Sequence, residues 1–371
     1  MVKSVELPLN YTWNFGDGTS ASGTINTDED KYRLEAIHTY PDSSDGTPFT
    51  ATLTVNAPSG YSGSDQYRIV VKTKALDIEV NVAIDDGLWY LHKQQQRSSS
   101  GGLDSGQWTE NGYEVSNTSC SVLAFEVQGH RVVDNADEDP YVETVQRGLN
   151  FLFSKLYTRA ISGGEGVYEC PYGNPDTNGN GLGIDSNGSS HTYEIGMAMM
   201  AIAASGAPDW VAQAGPDGVA GRTYKDILTD MVDMCAWGQN DYDPGRGGWR
   251  YDWNYYDSDN SVTQWPAIGL EAAEKNWDIQ APDFVKRELD IWLTATQCSN
   301  GGFGYASACD WVNMAKTGAG IAGLNYTGAA ATDTRIQNAL KFLDSNWSLA
   351  GGDGIWDNWY GMYDSVDLPD F

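Results

Sequence analysis

The feature that most constrains the fold is an internal repeat that begins near residue 78 and occupies most of the chain. Each repeat joins an amphipathic helix to a Gly-rich loop and then to a second helix of small apolar residues. Such helical hairpins cannot bury their apolar faces alone, so they stack in a solenoid or a closed ring. The first helix starts near 78, further amphipathic helices are predicted at 142–156, 224–237, 283–296 and 332–343, and small-residue helices at 119–127, 193–204, 262–273 and 314–324.

Before the repeat, the sequence follows a period of two. Apolar residues recur at every second position over 7–15, 50–55 and 67–72, and clusters of Gly, Asp, Ser and Pro separate these runs. This pattern is typical of a small β-sandwich. The predicted fold class is therefore multidomain, with a β-domain over residues 1–75 and a helical-repeat domain over 76–371.

Three phrases in the first domain carry a family resemblance. Residues 11–19 read Tyr-Thr-Trp-Asn-Phe-Gly-Asp-Gly-Thr, residues 38–41 read His-Thr-Tyr-Pro, and an alternating strand follows at 50–55. Together they resemble a PKD domain, an immunoglobulin-like β-sandwich of extracellular and surface-layer proteins. That family places further strand before the Trp strand, where this chain has only about ten residues. The resemblance therefore implies an unpaired sheet edge, which a longer parent chain or a neighbouring molecule would complete.

Two loops of the repeat pair a Gln with Gly-Gly-aromatic, namely Gln239 with 247–249 and Gln297 with 301–303. Such a Gln can bond carbonyls at a helix C-terminus while the ring plugs the turn. Together with Asp259-Asn-Ser-Val-Thr-Gln-Trp, these phrases resemble the prenyltransferase and squalene-cyclase repeats of terpenoid-cyclase-like α/α toroids. Weaker copies occur at Gln95 with 101–102 and at Asn346 with 351–352, and a last inner helix is expected near 359–363. A complete toroid has about six hairpins and this chain about five, so the resemblance implies an incomplete ring.

One phrase of the repeat is a candidate for catalysis. Triterpene cyclases carry Asp-x-Asp-Asp-Thr at the start of an inner helix, where a protonated Asp donates its proton to an alkene or epoxide. The similar phrase that begins at Asp257 implies Asp259 as the acid and Asp257 as its partner, although Asn260 replaces an acid of the family pattern. Alternatively, Asp259 or Asn260 caps a helix that begins at Ser261. We favour the cap, so no catalytic residue is favoured and the chain is interpreted as a non-enzyme.

The strongest ligand signal is the segment 176–187. Asp176, Asn178 and Asn180 alternate as oxygen ligands do in EF-hand-like calcium loops, and Asp185 and Asn187 follow. Because the last position is Asn187 and not Glu, the loop lacks a bidentate carboxylate, and we expect modest calcium affinity. The alternative is a polar loop that Asx-turns stabilise.

The charge of the chain limits its partners. Its 22 basic and 51 acidic residues sum to 22 − 51 = −29, a charge that repels phosphate backbones and anionic membranes. No apolar run approaches the roughly 20 residues of a membrane span. We therefore expect neither nucleic-acid binding nor a membrane span, and instead self-association, or binding to other surface proteins, through the PKD edge.

Several features indicate an exterior location. Asp is abundant, as expected for a saline or calcium-rich exterior. No hydrophobic signal follows Met1, which taken literally indicates a cytoplasmic protein. Because the first domain resembles an extracellular module, we interpret the chain instead as a mature or excised piece of a longer exported protein. Of its cysteines, Cys298 and Cys309 bracket a Gly-rich turn and are the most plausible disulfide, whereas Cys235 is expected to be buried and free. Glycosylation sequons begin at Asn10, Asn117, Asn187, Asn325 and Asn346.

These observations favour a non-catalytic extracellular protein, a surface, adhesion or filament-forming component that calcium stabilises and that belongs to a longer chain or polymer. Two alternatives remain open. The toroid resemblance also implies a terpenoid-cyclase-like enzyme that acts through Asp257 and Asp259 on an apolar substrate. It equally implies a secreted carrier of a small molecule, because cobalamin-binding proteins share the toroid shape.

Overall fold

A computed structural model describes residues 6–41, 46, 48–162, 168–188 and 191–347. The chain divides into two compact units, Met1–Gln95 and Gln96–Phe371. The structure thus contains antiparallel β-sheets and α-helices, as the sequence predicts. The Gly-Gly pair at 351–352 and the inner helix expected at 359–363 lie outside the described residues.

The first unit contains a four-stranded antiparallel sheet with the order β2-β1-β3-β4. In β1 the residues alternate between less and more exposed positions, and Leu9 and Phe15, at or just beyond its ends, are buried. The period of two at 7–15 therefore identified a strand with one buried face. The strands are β1 (Leu9–Asn14), β2 (Ser20–Ile25), β3 (Pro48–Asn56) and β4 (Ser62–Val70).

The phrases that resemble a PKD domain meet at one end of this sheet. Asp17 Oδ1 accepts the backbone N–H of Thr19 at 2.9 Å, which closes the predicted Asx-turn. His38 Nε2 lies 2.7 Å from Asp17 Oδ2, and the His38 ring stacks on Phe15 with centroids 4.0 Å apart. The Tyr40 hydroxyl donates to the Phe15 carbonyl at 3.1 Å. Residues separated by more than twenty positions thus form one polar and aromatic junction.

Helix α1 (Leu76–Gln94) belongs to the first unit, so the boundary falls after Gln95 and differs from the expected one at 75/76. Side chains near its C-terminal end explain this difference. Trp89 Nε1 donates to Glu35 Oε2 at 2.7 Å, and His92 Nε2 lies 2.9 Å from the Tyr32 carbonyl oxygen. Among the apolar residues of α1, only Leu88 is buried, whereas Val80 and Val82 are exposed.

Helices of the second unit alternate between two sets. Helices α2, α4, α6 and α8 pack against one another in chain order, and α3, α5, α7 and α9 each pack against a neighbouring member of that row. Each range predicted among the described residues of this unit overlaps one of these helices, and only residues 156 and 332–333 of those ranges lie beyond a helix end. They are α2 (Glu114–Val127), α3 (Tyr141–Lys155), α4 (His191–Ala204), α5 (Tyr224–Trp237), α6 (Asn260–Trp277), α7 (Asp283–Thr296), α8 (Met314–Tyr326) and α9 (Thr334–Asn346).

Glycines bring α4 and α6 into close contact. A side-chain carbon at Gly196 would lie 2.3 Å from the Trp265 carbonyl, and one at Gly269 would lie 2.8 Å from the Gly196 oxygen. Because real Cβ atoms do not approach backbone this closely, only glycine permits this crossing. The small residues of the predicted inner helices therefore allow them to pack side by side.

The Gln–Gly-Gly-aromatic phrases adopt the same hydrogen-bond pattern in two successive repeats. Gln239 Nε2 donates to the carbonyls of Gly247 and Val285, at 2.9 and 3.1 Å. Gln297 Nε2 donates to those of Gly301 and Arg335, at 3.0 and 2.9 Å. In each pair the first carbonyl belongs to the Gly-rich turn and the second to the start of the next outer helix. The sequence predicts that each Gln bonds carbonyls at the C-terminus of the preceding helix. The observed acceptors lie instead in the turn and in the next outer helix.

The aromatic residues of these phrases are buried plugs. Trp249 and Phe303 are fully buried, and their backbone N–H groups donate to Thr263 Oγ1 and Thr317 Oγ1 at 3.0 and 3.1 Å. Each Thr lies near the start of the following inner helix. The predicted role of the aromatic ring is confirmed, and the same Thr position closes both repeats.

Two features lie between the helices. The sequence pattern does not predict the hairpins β5–β6 and β7–β8, because each of their strands is only five residues long. The predicted disulfide joins Cys298 to Cys309, and Cys235 is buried and free. The hairpin strands are β5 (Gln96–Ser100), β6 (Leu103–Gln107), β7 (Leu156–Ala160) and β8 (Leu182–Ser186).

Candidate functional site

The two aspartates that resemble a cyclase motif lie where the loop after α5 enters α6. Asp259 is the N-cap of α6, and its Oδ1 accepts the Val262 N–H at 3.0 Å and the Ser261 hydroxyl at 2.5 Å. This carboxyl therefore satisfies free N–H groups of the first turn, which is worth about 1 kcal/mol. The predicted cap is confirmed, with the helix beginning at Asn260.

The second oxygen of Asp259 is occupied by a cation. Arg250 Nη1 forms an ion pair with Asp259 Oδ2, Arg250 Nε lies 3.5 Å from Asp257 Oδ1, and Asp259 is fully buried. Arg250 Nη1 also donates to the Tyr305 hydroxyl at 3.1 Å. Every group that contacts the Asp259 carboxyl donates to it. These are the contacts that a buried carboxylate requires, whereas an acid catalyst needs a proton directed at its substrate.

Aromatic rings enclose the guanidinium. Arg250 lies 4.9 Å from the centroid of Tyr251 and 5.5 Å from that of Tyr305. Lys316 Nζ lies 5.8 Å from the Tyr305 centroid, and burial lowers the pKa of Lys316 to about 8. We call this set the Arg250 cluster; it comprises Arg250, Tyr251, Asp257, Asp259, Tyr305 and Lys316. The charged and aromatic side chains of the Arg250 cluster therefore contact one another.

The aromatic residues around this loop divide by exposure. Trp249 and Trp253 are buried, Tyr255 and Trp265 are half-buried, and only Tyr251 and Tyr256 are exposed. Most of this group therefore serves the core of the repeat, and the exposed pair is too small to form a continuous ligand platform.

The predicted calcium loop is folded by its own side chains. Asp176 Oδ1 accepts the Gly179 N–H at 2.7 Å, and its Oδ2 accepts the Gly181 N–H at 2.8 Å. Asn178 Oδ1 accepts the Asn180 N–H at 3.0 Å. These Asx-turns correspond to the alternative interpretation of the loop.

Helix α5 supplies further partners for the loop that the sequence did not indicate. Asn178 Nδ2 and Asn180 Nδ2 donate to Asp230 Oδ1 at 2.7 and 3.0 Å. Thr177 donates to Asp233 Oδ1 through its N–H at 3.1 Å and through its hydroxyl at 2.7 Å. Asp230 and Asp233 are fully buried.

The two remaining predicted calcium ligands have other partners. The fully buried Asp185 contacts Tyr157, Arg159 and His191, at 3.0, 3.4 and 3.1 Å. Asn187 is exposed, and its N–H donates to the Lys155 carbonyl. The structure therefore brings together Asp176, Asn178 and Asn180 but places Asp185 in a separate ion-pair network. Within the described residues, no three His, Cys, Asp or Glu side chains are grouped as a metal site.

Two buried carboxyls have oxygens without a hydrogen-bond partner among the described residues, namely both oxygens of Glu126 and Oδ2 of Asp233. Burial raises the pKa of Glu126 well above its usual range. Burial, together with the negative charges of Asp230 and Asp176, raises the pKa of Asp233 to about 7. Neither residue is marked by a pattern in the sequence, because burial depends on packing between distant segments.

The raised pKa of Glu126 predicts a pH-dependent stability. The folded state holds its proton to a higher pH than the unfolded state, so stability is full below the ordinary Glu pKa and falls as pH rises towards the folded value. In the wild type this decrease in the free energy of unfolding amounts to at most about 1.4 kcal/mol per pH unit. It should be absent in Glu126→Gln, because glutamine cannot ionise. Urea unfolding between pH 4 and 8 measures this. Equal pH dependence in the variant and the wild type would contradict it.

The sequons occupy diverse positions. Asn10 lies in a strand, and Asn117, Asn325 and Asn346 lie in helices, while Asn187 follows strand β8. Because acceptor asparagines are typically found in surface loops, Asn187 is the sequon best placed for modification.

Of the helices that the structure describes, none combines the length and hydropathy that crossing a membrane requires. Comparisons of the chain with protein families, with characterised proteins and with solved structures found no match.

Proposed function

We propose that the chain is a non-catalytic extracellular scaffold, a surface or filament-forming component in which a PKD-like sandwich precedes an α/α toroid. One observation carries this proposal. The carboxyl that a cyclase would use as its acid, Asp259, caps α6 with one oxygen and pairs with Arg250 through the other. The test is to assay the wild type and Asp259→Asn for turnover of a polyprenyl substrate. Turnover by the wild type that is lost in Asp259→Asn would overturn the proposal.

The toroid part of the proposal is supported by the packing of the second unit. Helices α2, α4, α6 and α8 form a consecutive row, and α3, α5, α7 and α9 lie against it. The shared Gln and aromatic contacts of two repeats support a common repeat unit. Repeats that contact only their neighbours produce extended surfaces, which suit a packing or binding body.

The proposed route to assembly is pairing between sheet edges. Strand β4 lies at an edge of the four-stranded sheet, and its first seven residues are exposed. An exposed edge strand presents unpaired N–H and C=O groups to which a second copy can add a strand. The exterior location is supported by the charge of −29 and by the disulfide, since disulfides persist in oxidising compartments.

Lysines on this edge should block assembly. In the double variant Ser64→Lys, Gln66→Lys, like charges would oppose each other across the new strand pair, and the polymer fraction should fall at least about tenfold, equivalent to about 1.4 kcal/mol. Size-exclusion chromatography and negative-stain imaging measure this fraction.

A matched control adds the same charge elsewhere. Gln337→Lys with Ser345→Lys places two lysines at exposed positions of α9 and should leave assembly unchanged. A wild-type chain that stays monomeric at high concentration would refute assembly through this edge.

A further inference from the structure

Two acidic residues of α5 face the Asn-rich loop. Asp230 and Asp233 are three positions apart, so they lie on the same side of the helix. Asp230 contacts the amides of Asn178 and Asn180, and Asp233 contacts Thr177, which lies between the loop's first two polar ligand positions. Residues at least 50 positions apart in sequence are thereby brought to one place.

One atom at this place has no partner. Asp233 is fully buried, and its Oδ2 accepts no hydrogen bond from the described residues. Its Oδ1 accepts two hydrogen bonds from Thr177, so the carboxyl group as a whole is directed at the loop. A buried carboxylate oxygen without a partner is costly, and proteins usually pair such an atom with a proton or a cation.

We propose that a calcium ion binds between the loop and α5, held by Asp230, Asp233 and the side-chain amide oxygens of Asn178 and Asn180. This ligand set differs from the one that the sequence predicts, because Asp185 and Asn187 are excluded. Asp176 shapes the loop through the N–H groups of Gly179 and Gly181 and is not itself a ligand.

The chemistry requires a local change. In the structure the two Asn amides donate N–H groups to Asp230, and their oxygens accept the backbone N–H groups of Asn180 and Leu182 at 3.0 and 2.7 Å. A half-turn of each amide places its oxygen where its nitrogen now lies, and it gives up these two backbone hydrogen bonds in exchange for bonds to calcium. The ligand set consists of two carboxylates and two amides. It is therefore compatible with the absence, among the described residues, of any group of three His, Cys, Asp or Glu side chains. Calcium accepts such mixed, irregular oxygen ligands, whereas magnesium requires near-octahedral geometry. Because Arg222 neutralises part of the charge of Asp230, affinity should be modest.

This site is independent of the proposed scaffold role, because all its ligands belong to the second unit. Failure of edge assembly would leave the calcium proposal untouched, and the reverse also holds.

The test measures calcium binding to the full chain by isothermal titration and by melting temperature, in EDTA and in millimolar CaCl₂. We expect one calcium ion per chain, a higher melting temperature in calcium, and a smaller shift with MgCl₂. Asp233→Asn should weaken calcium binding at least about tenfold, since it removes one of two charged ligands. Glu126→Gln, which alters a buried carboxyl away from the loop, should bind calcium as the wild type does.

A second variant keeps the test decisive if Asp233→Asn fails to fold. Asn178→Asp adds a carboxylate beside Asp230, so it should lower the melting temperature in EDTA and increase the calcium-induced shift. The proposal is overturned if the wild type shows no calcium heat or shift, or if Asp233→Asn responds to calcium as the wild type does. It is also overturned if Asn178→Asp gains nothing from calcium, which would leave a proton as the occupant of Asp233.

Discussion

Replacing Arg250 with leucine is expected to destabilise the chain by about 3–5 kcal/mol, because it leaves the buried Asp259 carboxylate without its cation. Asp259 is fully buried, whereas Arg250 keeps contact with solvent. The carboxylate therefore bears the larger cost when the pair is broken. Urea unfolding followed by tryptophan fluorescence measures the change.

A double-mutant cycle separates this charge from packing. Asp259→Asn keeps an N-cap side chain but removes the negative charge, so it should cost only about 1 kcal/mol. The double variant Arg250→Leu, Asp259→Asn should then recover about 2 kcal/mol relative to Arg250→Leu alone. If the double variant is no more stable than the single one, loss of contact with Tyr251 and Tyr305 explains the effect and the ion pair does not.

Removing the Trp249 plug is the second large effect. Trp249 is fully buried, and its Nε1 donates to the Cys235 carbonyl at 3.0 Å. Trp249→Ala should cost about 3–5 kcal/mol, through lost burial and the cavity that remains. Chemical denaturation measures it, and Phe303→Ala, at the matching position of the next repeat, should cause a similar loss.

The control for this prediction is Trp249→Phe, which keeps an aromatic ring but loses the indole N–H. It should cost less than the alanine variant, by an amount that reports the cavity. A loss below about 1 kcal/mol for Trp249→Ala would show that the ring is not a structural plug of the repeat.

Much of the fold could be predicted because its signals are local. The ranges predicted for α5 and α7 match the observed helices residue for residue, since a 3.6-residue period is written within each segment. The hairpins β5–β6 and β7–β8, whose strands are only five residues long, show no such period and are not predicted. Helix α1 was assigned to the wrong side of the boundary because its contacts with Tyr32 and Glu35 bridge more than fifty residues.

At the candidate site the sequence was informative about residue roles and uninformative about partners. The cap by Asp259 can be predicted because its partner, Val262, lies only three residues further along the chain. Its cation, Arg250, lies nine residues earlier, in a loop whose position depends on tertiary packing. Likewise, the spacing of Asn178 and Asn180 identifies a polar loop. The sequence does not indicate that Asp230 and Asp233 bond to this loop, because they belong to a helix whose pattern predicts only an amphipathic face.

By itself, the sequence determined the helical repeat, strands β1 and β3, the disulfide and the turn chemistry, because each depends on neighbouring residues or on simple spacing. Only the tertiary structure decided which charges are buried and what compensates them, as for Asp259, Asp233 and Glu126. The physical reason is that the cost of burying a charge depends on all the groups around it, and these come from distant parts of the chain.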